Sequence, residues 1–216
     1  MEWPEELIND AKKRMEPYNV EGFVLGKGNE EGDIMIVGEA PGENEAVKGV
    51  PFIGRAGDEL DKQLSYVGLD REDVYITSVV RSRPYKWVET NKKGSGGKRK
   101  GNRKPNQKEI MAHAPLLDYQ IQQMKPEVII ALGGVAYERL TGSKGKISEV
   151  LGKVIQTPVM KSSTSQGWEK TEESFTIIPL YHPAAVFYNP KIKEDIYESL
   201  DHFKNYLEKK EESRRA

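Results

Sequence analysis

Four short apolar runs set the strongest limit on what this chain can fold into. The runs are rich in isoleucine and valine, and the first and third stop at glycine: DIMIV (33–37), VYITSVV (74–80), VIIAL (128–132) and TIIPL (176–180). Such runs are typical of buried strands. Because segments with helical periodicity separate them, the pattern predicts an α/β fold, a three-layer α/β/α sandwich around a four-stranded, mainly parallel sheet.

The helices are predicted from apolar spacing and from their ends. They cover residues 3–16, 57–67 and 109–124, and a further helix follows Gly133 and Gly134. The tail after Tyr206 is predicted to be a solvated helix end or a flexible segment. At 216 residues the chain is expected to form a single domain, from 1 to 216.

A glycine-rich, basic stretch at about 82–108 interrupts this pattern and is predicted to be an irregular surface insertion. Tyr85 and Trp87 are interleaved with its charges, a combination suited to nucleic acid. Its cations could contact phosphates, although a charge run can also be merely solvated; they include Lys92, Lys93, Lys98, Arg99, Lys100, Arg103 and Lys104.

Composition excludes several classes of protein. There is no cysteine, which removes disulfides, thiol nucleophiles and thiolate-bound metal. The three histidines, His113, His182 and His202, lack metal-binding spacing. No apolar run approaches the roughly 20 residues that span a bilayer, and the acidic start MEWPEELIND does not match a secretory signal. A cytoplasmic protein without metal is expected.

Ligands of parallel sheets bind beyond the carboxyl ends of the strands, and conspicuous motifs follow these strands here. In order, they are VGEAPGENEA, VPFIGRAG, VYITSVVRSRP, GNRKP, VIIALGGVA and YHPAAVFYNP. In order and spacing they resemble the family 4 uracil-DNA glycosylases over residues 25–205. The resemblance implies the fold of that superfamily and, as the substrate, DNA that contains uracil or another deaminated base. It also implies that the N-glycosidic bond is hydrolysed during base-excision repair. The protein is expected to be a monomer.

Two features of the resembling family are altered in this chain. Members typically hold an iron–sulfur cluster on four cysteines, and the corresponding positions here are Ala11, Arg14, Ser82 and His113. The cluster, and with it any cofactor, is therefore predicted to be absent. A related branch traps DNA covalently through a histidine in the basic insertion, a place filled here by Asn102. Covalent trapping is not predicted.

The resemblance also assigns roles in the chemistry. It implies that Glu45 orients or activates a water and that Glu39 supports the same loop; an arbitrary acidic cluster would more often simply solvate a surface. His182 could donate a hydrogen bond to O2 of the departing base as negative charge develops there, or could cap the following helix. Asn102 matches an asparagine near the reacting sugar, although a turn asparagine is also consistent with its neighbours.

Other residues are candidates for recognising the base and the DNA. Phe52 is predicted to stack on an extruded base, with a buried core phenylalanine as the alternative. Ser78 stands where the family usually has an asparagine that recognises uracil, so weaker or broader base selection is expected. Backbone groups of the GEAPGENE loop, at Gly38 and Ala40, could supply further contacts. A wedge entering the duplex would explain the apolar segment 186–188, namely Val186, Phe187 and Tyr188, as would core packing.

Two other functions compete with the glycosylase. A damaged-DNA-binding protein that has lost turnover is suggested by the altered Ser78 and the missing cluster ligands, but Glu45 and His182 argue against it. An enzyme of free nucleotides is disfavoured by the absence of a GxxxxGK phosphate loop and by the basic insertion.

Overall fold

The computed structural model describes residues 1–90, 97–164 and 167–215. Lys92 and Lys93 of the predicted basic run lie outside these residues. The helices and strands follow in the order α1 (Glu5–Met15), β1 (Val20–Glu21), β2 (Lys27–Gly28), β3 (Ile34–Gly38), α2 (Glu43–Lys48), α3 (Gly54–Tyr66), β4 (Val74–Ser78), β5 (Arg83–Glu89), β6 (Lys98–Asn102), α4 (Gln107–Met124), β7 (Val128–Leu132), α5 (Gly134–Thr141), β8 (Ile155–Ser162), β9 (Trp168–Leu180), α6 (Ala185–Tyr188) and α7 (Lys193–Arg215).

The main sheet has six strands in the order β2-β4-β3-β7-β9-β8. The inner four, β4, β3, β7 and β9, are mutually parallel and correspond to the four predicted strands. The α/β class is therefore confirmed, while the predicted count of four strands was too low. The two additional strands, β2 and β8, are antiparallel edges. β2 has only two residues, both exposed, and β8 mixes polar and apolar residues, so neither strand has an apolar run that would distinguish it from a loop.

Apolar helix faces cover both sides of this sheet. On one side, Leu117 and Ile121 of α4 and Val135 of α5 pack against alternate residues of the central strands. On the other side, Leu64 of α3 and Leu200 of α7 do the same. Alternate residues of a strand point to opposite faces, so continuous apolar runs such as Ile34–Gly38 require cover on both faces. The result is the predicted three-layer arrangement.

A second, smaller sheet occupies much of the stretch predicted to be irregular. Its order is β1-β5-β6, and β5 pairs with β6 in an antiparallel ladder in which Tyr85 lies opposite Asn102 and Trp87 opposite Lys100. The prediction of irregular structure over this stretch was wrong there, because β5 pairs with β6, whose lysine, arginine, glycine and asparagine residues give no strand signal of their own. Within the residues described, no helix has the length and apolarity to cross a membrane.

Candidate active site

A cavity of about 630 Å³ opens at the carboxyl end of the parallel strands. It is formed by the loop after β3, the segment between α2 and α3, the end of β4, the base of the β5–β6 hairpin and the loop after β9. The residues predicted for the chemistry and for base contacts line it, with the exception of Gly38: Glu39, Ala40, Glu45, Phe52, Ser78, Asn102 and His182. Arg103, predicted to contact DNA, lines it as well. The tertiary structure thus brings together residues that are far apart in the sequence.

Glu45 lies in the first turn of α2 and is fixed by one backbone contact. Its Oε1 accepts a hydrogen bond from the amide of Ile53 at 3.0 Å. Its Oε2 faces Gly42, where a carbon placed at the Cβ position would lie only 2.7 Å from that oxygen. The same point lies 3.9 Å from Nδ2 of Asn102. Glu45 and Asn102 therefore border a common small space above Gly42.

The orientation of the Asn102 amide is decided by Arg83. Arg83 Nε donates to Asn102 Oδ1 at 2.7 Å. A guanidinium carries only donors, so the atom that faces it must be the amide oxygen. The NH₂ group of Asn102 is therefore turned towards the space shared with Glu45. Arg83 was not predicted from the sequence, because an arginine is rarely buried and this one is only 2% exposed.

Arg83 is in turn held by several acceptors around it. Its Nη1 is ion-paired with Glu21, and a second carboxylate, Glu43, lies 3.8 Å away. Its Nη2 donates to the carbonyl of Lys100 at 3.1 Å. Glu21 also binds the Lys100 ammonium, and that hydrogen bond is the main cause that lowers the pKa of Glu21. Glu21 was likewise not foreseen from the sequence.

His182 follows β9 and is neutral over the ordinary pH range. Burial lowers its pKa to about 4. Its Nδ1 accepts a hydrogen bond from the amide of Ala184 at 3.1 Å, so in the neutral ring the proton is on Nε2. The capping contact considered for this histidine is therefore present. It leaves Nε2–H as a neutral donor, the form required to stabilise an oxyanion without protonating it.

Phe52 is held in a constrained segment against the strand end. Its backbone has φ of 49°, an uncommon conformation for a residue with a side chain. Arg71 donates to the carbonyls of Pro51 and Phe52. The ring lies above Gly38, where an added Cβ would approach it to 2.6 Å, and it stacks on His182 with centroids 5.4 Å apart. Gly38 thus serves as the floor under this ring.

Ser78 and Glu39 occupy the inner part of the cavity. Ser78 is 6% exposed, and its Oγ donates to the carbonyl of Val80 at 2.7 Å. With the hydroxyl hydrogen engaged, the oxygen can only accept from a ligand. Burial raises the pKa of Glu39, an effect that the charge of Lys104 partly offsets.

The apolar segment after His182 divides between core and cavity. Val186 packs against the apolar cluster under α3 and α7. Phe187 and Tyr188 line the cavity and are 38% and 88% exposed. The Arg55 guanidinium lies over the Phe187 ring, 4.3 Å from its centroid. Arg55 is a cavity residue that sequence reasoning missed.

The cations of the small sheet do not behave alike. Lys100 is ion-paired with Glu21, and Arg103 is ion-paired with the buried Glu109. Lys98 and Arg99, by contrast, are exposed on β6. Trp87 is 57% exposed on the neighbouring strand. Of the cations predicted to contact DNA, Lys100 and Arg103 therefore already have carboxylate partners within the protein.

The positions that correspond to the family's cysteines form no thiolate site. Ala11, Ser82 and His113 are buried, whereas Arg14 is exposed. Nδ1 of His113 accepts the Arg81 amide at 2.7 Å, its ring edge meets Phe23, and burial lowers its pKa to about 3. Across the described part of the chain, no group of three or more histidine, aspartate or glutamate side chains is arranged to hold a metal ion.

Comparisons with known proteins match most of the chain. A profile of the Uracil DNA glycosylase superfamily matches residues 25–209. A type-4 uracil-DNA glycosylase of Saccharolobus solfataricus is 36% identical over 210 residues, 95% of this chain and 87% of that protein. Those of Archaeoglobus fulgidus and Thermotoga maritima are 36% and 32% identical, over 82% and 95% of this chain and 77% and 97% of their own lengths.

These relatives correct one prediction, that the protein works without any cofactor. They carry the type-4 name, and the resemblance implies an iron–sulfur cluster for that class, so the likeness does not support a cofactor-free protein. The absence of cysteine excludes only one type of cofactor site, a cluster bound by cysteine thiolates. Because the chain has no cysteine, Ala11, Arg14, Ser82 and His113 do not fit a cluster held by four thiolates. No step of the chemistry is assigned to such a group.

Proposed function

The chain belongs to the uracil DNA glycosylase superfamily, and we propose that it is a monofunctional DNA glycosylase that hydrolyses the N-glycosidic bond of deoxyuridine in DNA. The observation that carries the proposal is the composition of one cavity. A carboxylate, an oriented amide donor, a neutral imidazole donor and an aromatic ring all border it. Base-excision repair begins with this reaction.

The reaction places opposite demands on the two sides of the bond. As the C1′–N1 bond breaks, its electron pair moves onto the uracil ring and positive charge develops on the sugar. A water between Glu45 Oε2 and Asn102 Nδ2 donates to the carboxylate, accepts from the amide and attacks C1′. Its proton passes to Glu45, and the bond formed to oxygen leaves an abasic sugar. Uracil departs as an anion and takes up a proton from solvent.

The departing base is stabilised by the opposite wall of the cavity. Nε2–H of His182 donates to O2 of the base, where the negative charge accumulates. The low pKa of His182 supports this role, since a neutral donor remains available over the ordinary pH range. Phe52 stacks on the extruded base and excludes water from the bond.

The rest of the substrate is proposed to follow the outer face of the cavity. Phe187 and Tyr188 enter the space vacated by the flipped nucleotide, while Val186 anchors their segment to the core. Lys98 and Arg99 contact phosphates, with Trp87 beside them. Ala40 contributes backbone contacts to the base, and Glu39 shapes the same loop; Gly38, predicted to do the same, lies beneath the Phe52 ring and does not line the cavity. We expect a monomer that acts on DNA in the cytoplasm.

The test is strand cleavage by alkali after incubation with oligonucleotides that carry one uracil, hypoxanthine or xanthine. We expect cleavage at uracil, and we expect Glu45→Gln and His182→Ala each to lower the single-turnover rate by about a hundredfold or more. Val154→Ala, at an exposed position on the surface, is the matched control. Binding of the uracil DNA without any cleavage would instead favour the inactive damaged-DNA-binding protein.

A further inference from the structure

We propose that Arg83 and Glu21 are positioning residues for this reaction, and that they act through Asn102 by fixing which end of its amide faces the water. The inference rests on the proposed function, because Arg83 and Glu21 do not touch the substrate and are proposed to increase the rate of the glycosylase reaction through Asn102. Glu21 lies outside the motifs by which the chemistry was first located, and Arg83 stands within VYITSVVRSRP, where it had been assigned no role.

The side-chain amide of an asparagine has two possible orientations. Its amide has a donor end and an acceptor end of nearly equal size, and rotation by 180° exchanges them. With NH₂ towards the cavity, Asn102 can donate to the oxygen of the water while Glu45 accepts its hydrogen. With the orientation reversed, both neighbours of the water would be acceptors, and the water would lose the contact that aims its lone pair at C1′.

Arg83 excludes one of the two orientations of the Asn102 amide. Arg83 Nε lies 2.7 Å from Asn102 Oδ1, and no rotamer of a guanidinium offers an acceptor to the NH₂ end. Reversing the amide would therefore place two donors against each other beside a charged side chain that is 2% exposed. The preference for one orientation is strong because the donor is charged and buried.

Arg83 is itself held in place by the small sheet and by Glu21. Strand register puts Glu21 opposite Arg83 and Tyr85 opposite Asn102, so Glu21, Arg83 and Asn102 lie on one face of the small sheet. Glu21 binds Arg83 on one side and Lys100 on the other. The guanidinium is thus held from β1 while its Nε is presented to β6. A lysine at this position could supply the charge but not this fork of donors.

The experiment is a double-mutant cycle on single-turnover cleavage of a uracil oligonucleotide. Arg83→Lys is measured in the wild-type background and in the Asn102→Ala background, with DNA dissociation constants determined in parallel. We expect Arg83→Lys to lower the rate by about tenfold or more with less than about a twofold change in affinity. In the Asn102→Ala background the same substitution should change the rate by less than about twofold. Glu21→Gln should show the same pattern with a smaller effect.

Arg139→Lys is the matched control, since Arg139 forms a buried ion pair with Asp118 and does not line the cavity. It should lower the thermal midpoint without lowering the rate, which separates loss of stability from loss of positioning. Additive effects of Arg83→Lys and Asn102→Ala would overturn the positioning role while leaving the glycosylase intact. No cleavage by the wild-type protein would overturn the proposed function and this inference with it.

Discussion

At the scale of single residues, the space above Gly42 is the sharpest test of the proposed water site. Gly42 has φ of −86° and ψ of −168°, which alanine adopts freely, so Gly42→Ala should leave the fold intact. Its new Cβ would meet Glu45 Oε2 at 2.7 Å and fill the space shared with Asn102. We expect the single-turnover rate to fall about a hundredfold with little change in thermal midpoint.

Gly134→Ala is the matched control for this variant. A Cβ at Gly134 meets nothing within 4 Å, and the residue begins α5, where alanine favours the helix over glycine by about 0.5–1 kcal/mol. This variant should cleave uracil at the wild-type rate. Full activity of Gly42→Ala would show that no reacting water occupies the space beside Glu45.

Ser78 is the residue that sets the expected base selection. Because its hydroxyl hydrogen is engaged by Val80, its oxygen can accept one N–H, which uracil, hypoxanthine and xanthine all offer. Ser78→Asn supplies a donor and an acceptor together, worth roughly 1–3 kcal/mol of discrimination. We expect kcat/KM for uracil to rise about tenfold relative to hypoxanthine. An unchanged ratio for the two substrates would show that Ser78 does not face the base.

At the scale of elements, the β5–β6 hairpin is expected to contribute the phosphate contacts. Replacing the exposed Lys98 and Arg99 together by alanine should weaken binding to every DNA sequence alike. A plot of log affinity against log salt concentration has a negative slope, and its magnitude should decrease by about two, because each phosphate contact contributes roughly one to it. Lys62→Ala, on the exposed face of α3, is the control. An unchanged slope in the double variant would remove the hairpin from the DNA contacts.

The same elements show how far the fold could be predicted. The strands β3, β4, β7 and β9 were predictable because an apolar run must be buried on both faces, and that requirement is visible in one short segment. Strands β5 and β6 were not, since β6 has no apolar run and its pairing with β5 depends on residues that lie on the two sides of 91–96. The predicted helix at 109–124 begins at Gln107, where Asn106 and Glu109 form a capping box.

At the scale of the whole molecule, two histidines couple stability to pH, the buried His113 and the half-buried His182. Burial lowers the pKa of His113 to about 3 and of His182 to about 4, below the usual value of 6.5. Folding therefore favours their neutral forms. Their contribution is fully present above pH 6.5 and is lost as the pH falls towards the folded values, by about 1.4 kcal/mol per pH unit for each histidine.

Urea unfolding at pH 7.5 and pH 5 measures this loss. We expect the free energy of unfolding to be lower at pH 5, and His113→Gln to lose less over the same interval than the wild type. Glu39, whose pKa burial raises, acts in the opposite direction in both proteins and cancels from the comparison. An equal loss in wild type and variant would show that His113 is not buried as a neutral group.

The layered α/β fold, the edge of the sheet at which the cavity opens, and the motifs that supply most of its lining could be predicted from the amino-acid sequence. Local hydrophobic patterning and short motifs encode these features. Three properties required the folded structure: the direction in which the Asn102 amide faces, the hydrogen bond of the Ser78 hydroxyl to Val80, and the carboxylate partners of Lys100 and Arg103. These properties depend on contacts between residues distant in the chain or on a single rotamer, and neither leaves a periodic signal in the sequence.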